Sequence, residues 1–158
     1  MSLTLEQKAY NAETYNHIRE VNKLLNRCVE KLLQRGLNHD QSKLSSPEVE
    51  IFSEFGPRLR ELTYGSDEYM QGLEEMETAI SHHHKNNRHH PEYHDYGIFD
   101  MNLIDLLEMV CDWMASVKRH SDGDIYQSIE INKKRHKIPE SLVSILKNTV
   151  EVLNENYK

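Results

Sequence analysis

Glycine and proline are scarce in this chain, with six glycines and four prolines among 158 residues. Both residue types mark turns and special backbone angles, so their scarcity leaves few breaks between regular segments and favours helices. Long uninterrupted apolar runs are also lacking, and we therefore expect no transmembrane span and no membrane partner. The first residues, MSLTLEQKAYN, have no apolar core of the kind that a signal peptide needs.

Cysteine and net positive charge are the other features that the sequence has little of. Cys28 and Cys111 fit neither a metal-binding nor a redox spacing, which predicts a reduced, cytoplasmic protein. The 19 basic and 26 acidic side chains give a formal net charge of -7, which argues against broad binding to nucleic acid. The evenly spread charge predicts no particular oligomeric state.

The length suits a single domain covering residues 1–158, because no repeat or linker marks a boundary. Apolar residues recur at three- and four-residue steps, the period of amphipathic helices, and predict an all-α fold. We expect a first helix to about residue 34 with Gly36 as its stop, and a short separate helix after Pro57. A long helix should run from about residue 67 into a histidine cluster, and further helices should cover about 102–120, 124–136 and 140–156.

The feature that the sequence has in excess is histidine, with ten in all and six between residues 82 and 94. On a helix in this segment, His83 and His90 would lie on the apolar seam, and His89 would lie one residue round from it. Histidines gathered on bare surface gain little from one another, whereas a metal ion or a substrate phosphate gives a reason to gather them. An adventitious surface cluster or a pH-sensitive interface is the alternative.

Two earlier segments carry further candidate ligands. His17 lies on the apolar stripe of the first helix, where it is either a metal ligand or a core histidine satisfied by one hydrogen bond. His39 and Asp40 are adjacent in a polar turn, and Lys43 follows three residues later. Imidazole and carboxylate suit a divalent ion, and an ammonium group beside that ion would hold a phosphate oxygen. The alternative is a capping aspartate with an exposed lysine.

One narrow polar stripe interrupts the apolar helix predicted over 102–120. It contains Asp105, Glu108, Asp112 and Ser116, and every other face of that helix is apolar. Periodicity alone does not distinguish a stripe that faces solvent from one that faces a site. Asp112 is the member of most interest because it lies between bulky residues and the small Ala115.

The order of these residues, H…HD…H…HH…D, resembles that of the HD-domain metal-dependent phosphohydrolases. HDQSK is similar to the HDxGK signature of the HD-GYP branch, with Ser42 where that branch has glycine. HHPEYHDYG resembles the HHE…DGSGYP segment of the same branch, and CDWMA resembles the region of its final aspartate. The combination of NRHHPEY with EMVCDWMA also resembles a small uncharacterised bacterial and phage family over nearly the whole chain.

The HD-domain resemblance implies a helical bundle of HD-domain type with about six or seven helices. It also implies that His17, His39, Asp40 and Asp112 ligate a first metal and that a second is completed by His83, His89 and His90. Mixed histidine and carboxylate ligands suit one or two divalent ions among Fe, Mn, Co, Ni and Zn. The GYP segment is missing, so the implied activity is a phosphomonoesterase or nucleotide hydrolase rather than a cyclic dinucleotide hydrolase.

The resemblance also assigns roles in metal-assisted hydrolysis of a small phosphorylated substrate. Asp40 would bridge two ions and orient the attacking water. Lys43 or Arg88 would bind the substrate and neutralise charge building on its phosphate. A second hypothesis is a non-catalytic, metal-stabilised helical module whose histidine-rich face binds a partner.

Overall fold

The apolar periodicity of the sequence corresponds to seven α-helices in the computed structural model, which describes residues 3–62, 67–119 and 123–154. The helices are α1 (Leu5–Asn38), α2 (Glu48–Glu61), α3 (Asp67–Glu75), α4 (Glu77–Asn86), α5 (Leu103–Val117), α6 (Ile125–His136) and α7 (Glu140–Asn154). Short 3-10 turns cover Gln41–Leu44, Pro91–Tyr93 and Gly97–Asp100. No strand occurs in those three ranges, so the predicted all-α class with six or seven helices is confirmed.

The chain divides into two compact units, one ending at Leu37 and the other beginning at Asn38. The first unit consists of α1, and within the described residues this helix has no buried side chain. The second unit contains the other six helices and the 3-10 turns. The expectation of one domain over residues 1–158 stays a prediction.

The core of the second unit is built by its last three helices. Met109 and Val110 of α5 and Ile129 of α6 are fully buried with Val143 and Val150 of α7. Burying an aliphatic side chain of this size stabilises a fold by about 1.5–3 kcal/mol, so this cluster holds α5 in a fixed position. The polar stripe of α5 is fixed with it.

The first helix does not stop at Gly36 as the sequence predicted. It continues to Asn38, and the backbone instead turns at Asp40, which has a left-handed conformation with φ 57° and ψ 14°. Aspartate is one of the few residues that enter this region at modest cost, because its short side chain bonds locally. The chain therefore changes direction at a candidate ligand and not at the glycine.

Two other expected boundaries were also wrong. Pro57 does not begin a separate helix, because α2 runs through it from Glu48 to Glu61. The long helix expected from residue 67 is broken at Met76 into α3 and α4, and α4 ends at Asn86, well before Pro91. His120, the expected end of α5, lies outside the described residues. No helix among those described is both long and apolar enough to cross a membrane.

Candidate metal centre

The second unit brings three segments of candidate ligands together. His39 and Asp40 lie in the turn before the first 3-10 turn, and Lys43 lies within that 3-10 turn. His83 lies near the end of α4, and His89 and His90 lie in the irregular segment that follows it. The third segment is α5, which contributes Glu108 and Asp112.

Four buried atoms in this region converge without making a hydrogen bond to any described residue: Asp40 Oδ1 and the Nε2 atoms of His83, His89 and His90. Each of these four residues offers one ligand atom, and the four ligand atoms lie within 4.8 Å of one another. Asp40 Oδ1 is 3.2 Å from His83 Nε2 and 3.6 Å from His89 Nε2. Ligands held ~2.1 Å from one ion in a tetrahedral site lie roughly 3.4 Å apart, so these separations fit a single divalent metal ion.

Glu48 fixes which nitrogen of His83 faces this point. This carboxylate, at the start of α2, is 0% exposed, and its Oε2 accepts from His83 Nδ1 at 2.8 Å. Its other oxygen accepts from His82 Nδ1 at 2.7 Å. A carboxylate cannot donate, so His83 carries its proton on Nδ1, and the lone pair of Nε2 points at Asp40.

Ser42 and Asn87 hold Glu48 and His83 in place. The Ser42 hydroxyl donates to Glu48 Oε2 at 3.0 Å and accepts from Asn87 Nδ2 at 2.8 Å. Asn87 Nδ2 also donates to the backbone carbonyl of His83 at 2.8 Å. Ser42 therefore belongs to the hydrogen-bond network that orients His83.

Glu108 plays the corresponding part for two other histidines. Its Oε1 accepts from His39 Nδ1 at 3.0 Å and lies 3.3 Å from His89 Nδ1. The rings of His39 and His89 lie against each other with centroids 4.4 Å apart. Carboxylate–histidine–metal arrangements of this kind raise the basicity of the ligating nitrogen and fix its direction.

The polar stripe of α5 faces the interior of the second unit. The exposed fractions of the Asp105, Glu108 and Asp112 side chains are 0%, 9% and 18%. Asp112 Oδ1 lies 3.6 Å from His39 Nε2, which in turn lies 3.6 Å from Asp40 Oδ2. His39, Asp40 and Asp112 thus form a second group of possible ligands that shares Asp40 with the first.

The charge states of the ligating groups differ between the two groups. Burial, together with the neighbouring His89 and His83, lowers the pKa of His90 to about 2, so this ring is neutral and able to bind a metal. Hydrogen bonds to Asp112 and Glu108 raise the pKa of His39 to about 10, which favours the imidazolium there. Burial opposes ionisation of Asp40, but the ammonium of Lys43 holds the pKa of this carboxyl below its usual range.

Lys43 and Arg88, the predicted substrate-binding residues, both have carboxylate partners. Lys43 Nζ lies 2.6 Å from Asp40 Oδ2. Arg88 binds Asp105 through Nε at 3.3 Å and Nη2 at 3.1 Å, and Asp105 also completes the capping box at the start of α5. The Arg88 guanidinium therefore ties the segment after the histidines to α5, and its predicted contact with substrate stays a prediction.

His17 is the one predicted ligand that does not belong to the second unit. It lies on α1, where its side chain is exposed, and the possible ligand groups drawn from the described residues do not include it. Its role as a ligand stays a prediction. His84 belongs to a further group with His90 and Glu92, next to the main centre.

Sequence reasoning did not select Glu48 as part of the site. An acidic residue in the first turn of a helix is the ordinary complement of the helix dipole, and nothing in the sequence marks this one as buried. Glu108 was visible in the polar stripe of α5, but the periodicity did not tell which way the stripe faces. The apolar character of every other face of α5 was the signal that could have selected it.

Comparison with protein-family models identifies the family to which the chain belongs. A family of unknown function, DUF5662, matches residues 6–158. The chain belongs to this family. No curated protein and no solved structure matches it. The family match carries no reaction and leaves the likeness to HD-domain phosphohydrolases as a hypothesis.

Proposed function

We propose that this DUF5662 protein is a metal-dependent phosphohydrolase acting on a phosphate ester, with a nucleotide among the candidate substrates. The observation that carries the proposal is the convergence of Asp40 Oδ1 with the Nε2 atoms of His83, His89 and His90. Buried polar atoms are nearly always paired in folded proteins, so four that point at one place imply a ligand for all of them. These four atoms carry lone pairs, so the ligand that suits them is an electron-pair acceptor.

Three imidazoles and one carboxylate favour a transition metal over Mg²⁺ or Ca²⁺, which prefer oxygen ligands. Fe, Mn, Co, Ni and Zn all suit this donor set. A metal bound by these four residues with a further coordination position open would supply Lewis-acid polarisation of a phosphoryl oxygen and a bound water that ionises near neutral pH.

The residues of this chain supply the remaining parts of the proposed hydrolysis. Asp40, held as a carboxylate beside His83 and Lys43, accepts a hydrogen bond from the attacking water and orients it. Lys43 carries a fixed positive charge next to Asp40, where it binds a phosphate oxygen and stabilises the charge that grows on it. Water adds its oxygen to phosphorus, and the ester oxygen leaves with a proton.

The test measures the rate of hydrolysis by protein that was purified without a histidine tag. The protein is loaded in turn with Mn²⁺, Co²⁺, Ni²⁺, Zn²⁺ and Fe²⁺. A panel of nucleotides, phosphomonoesters and phosphodiesters serves as substrate. We expect hydrolysis of at least one class and a loss of both bound metal and activity in Asp40→Asn. Asp95→Asn, in an exposed turn of the same unit, is the matched control and should keep both. Absence of turnover across the panel by metal-loaded wild type would overturn the enzymatic proposal.

One observation favours a second candidate, a metal-stabilised module that binds a partner. The first unit is one helix, α1, that carries apolar residues such as Ile18, Leu25 and Leu33, and a single helix taken by itself cannot bury them. Apolar side chains at such spacing suit a docking role. Metal binding without turnover would favour this module, whereas hydrolysis that depends on Asp40 would favour the enzyme.

A further inference from the structure

The two oxygens of Asp40 face different surroundings. Oδ1 lies 3.2 Å from His83 Nε2 and 3.6 Å from His89 Nε2. Oδ2 lies 2.6 Å from Lys43 Nζ and 3.6 Å from His39 Nε2. A carboxylate that bridges two ions must offer one oxygen to each. The surroundings of Oδ2 therefore decide whether a second ion can bind.

The Oδ1 side needs a cation, whereas the Oδ2 side already has one. Asp40 Oδ1 and the Nε2 atoms of the three histidines make no hydrogen bond within the described residues. Oδ2 instead accepts from the Lys43 ammonium, and His39 is held through its Nδ1 by Glu108. A divalent ion at Oδ2 would have to displace the ammonium or lie beside it against direct charge repulsion.

The position of Lys43 is set by the local backbone. Asp40 and Lys43 are separated by three residues, and the backbone N–H of Lys43 donates to the Asp40 carbonyl at 2.9 Å. This bond begins the 3-10 turn Gln41–Leu44, in which side chains three residues apart lie over each other. The ammonium also lies 5.8 Å from the centre of the Phe52 ring on α2. Its placement at Oδ2 is therefore built into the turn.

Another group of possible ligands, on the side of His90, shows the same feature. It shares His90 with the main centre and adds His84 and Glu92. The Glu92 carboxylate accepts from the Arg135 guanidinium at 2.8 Å. On both sides of the main centre, a basic side chain of the protein thus pairs with a carboxylate that a further ion would need.

We propose that the centre binds one divalent metal ion through Asp40 Oδ1, His83, His89 and His90, and that the Lys43 ammonium takes the place of a second ion at Asp40 Oδ2. The inference rests on the proposed metal-dependent function and specifies the number of ions. The metal centre is then mononuclear, and a lysine occupies the position of the second cation. His39 and Asp112 then contribute to the surroundings of Lys43 and Asp40 Oδ2.

The test counts metal ions per chain. Protein freed of metal by a chelator is dialysed against an excess of Mn²⁺ or Co²⁺, desalted and analysed for metal content. We expect one ion per chain in wild type and two in Lys43→Gln, which removes the charge and shortens the side chain by one atom. Lys43→Arg retains the charge and should keep one ion. Lys85→Gln removes an exposed charge near the end of α4 and should also keep one.

Electron paramagnetic resonance of the Mn²⁺ forms gives an independent measurement. Two Mn²⁺ ions that share Asp40 would couple, so Lys43→Gln should show a coupled spectrum that wild type and Lys43→Arg lack. Circular dichroism identifies any variant that has lost its helices. Two ions in wild type, or one ion in folded Lys43→Gln, would overturn the role of Lys43. No bound ion in wild type would instead overturn the metal centre and with it the proposed function.

Discussion

Buried carboxylates set the direction of His83 and His89 in the candidate centre and of His39 beside it. Glu48 accepts a hydrogen bond from His83 Nδ1, and Glu108 lies against the Nδ1 atoms of His39 and His89. If the residue at either position could not accept both hydrogen bonds, one of the two histidine rings could switch to its other tautomer. The supporting carboxylates are thus as specific to the geometry as the ligands themselves.

The first prediction at this scale concerns Glu48→Gln. The amide has one accepting oxygen for two histidines, so His82 and His83 compete for it, and the His83 ring loses its fixed orientation. Loss of a supporting residue of this kind lowers metal affinity by roughly 10–100-fold. Competition with a chelator of known affinity measures the change, and nitrogen NMR of the metal-free protein reports the His83 tautomer directly.

Two controls accompany this variant. Glu50→Gln changes an exposed glutamate of the same helix and should leave the affinity unchanged. His82→Ala combined with Glu48→Gln removes the competitor, so the remaining oxygen can serve His83 and affinity should partly recover. An equal loss in the single and the double variant would show that Glu48 acts through packing rather than through the tautomer.

Only some of the residues of the site could be predicted from the sequence. The order of His39, Asp40, His83 and Asp112 was visible because imidazole and carboxylate side chains are chemically distinctive as metal ligands. Glu48 was not, because a glutamate at the start of a helix looks the same whether it faces water or is buried. Burial is decided by the packing of α2, which a single sequence does not display.

At the scale of elements, the end of α6 has a backbone conformation that its residue does not favour. Lys137 has a left-handed backbone with φ 53°, its N–H donates to the Lys133 carbonyl, and the next N–H, of Ile138, does the same at 3.0 Å. The Ile138 bond is the 6→1 bond of a Schellman motif and the Lys137 bond is the 5→1 bond of the αL motif, and glycine is the favoured residue at the left-handed position of both. A lysine in the left-handed conformation has a steric cost that glycine, which lacks Cβ, does not have.

We therefore predict that Lys137→Gly stabilises the protein. Relief of the left-handed strain should raise the free energy of unfolding by about 1 kcal/mol, as a difference between the steric cost and the extra entropy of glycine in the unfolded chain. Urea denaturation followed by circular dichroism measures it. Lys134→Gly, at an exposed position inside the same helix, should instead lower stability by about 1 kcal/mol. Destabilisation by both substitutions would contradict the argument.

Helix existence was predictable, whereas helix boundaries were not. The helices α5, α6 and α7 follow the expected ranges closely because their apolar periodicity is strong and their caps are local. Three expected boundaries failed because a single residue was taken as decisive: Gly36 remains helical, Pro57 lies inside α2, and Met76 breaks a helix without any breaker residue. A single glycine or proline shifts the local preference but does not by itself end a helix.

At the scale of the whole molecule, the four converging ligands couple metal binding to folding of the second unit. Asp40 precedes the first 3-10 turn, His83 lies on α4, and His89 and His90 follow that helix. The unfolded chain does not hold these residues near one another, so the complete site exists only in the folded state. An ion bound there is expected to stabilise the fold by mass action.

The last prediction is that metal raises the free energy of unfolding. At a free metal concentration one hundred times the dissociation constant, one site that exists only in the folded state adds about 2.7 kcal/mol. The ten histidines of the unfolded chain also bind metal weakly, so the measured gain should approach this value from below. Thermal unfolding with EDTA and with Mn²⁺ or Zn²⁺ measures it, and Asp40→Asn should show little or no gain. An equal gain in Asp40→Asn would mean that the ion binds elsewhere, because the carboxylate oxygen that the three imidazoles face would then contribute nothing.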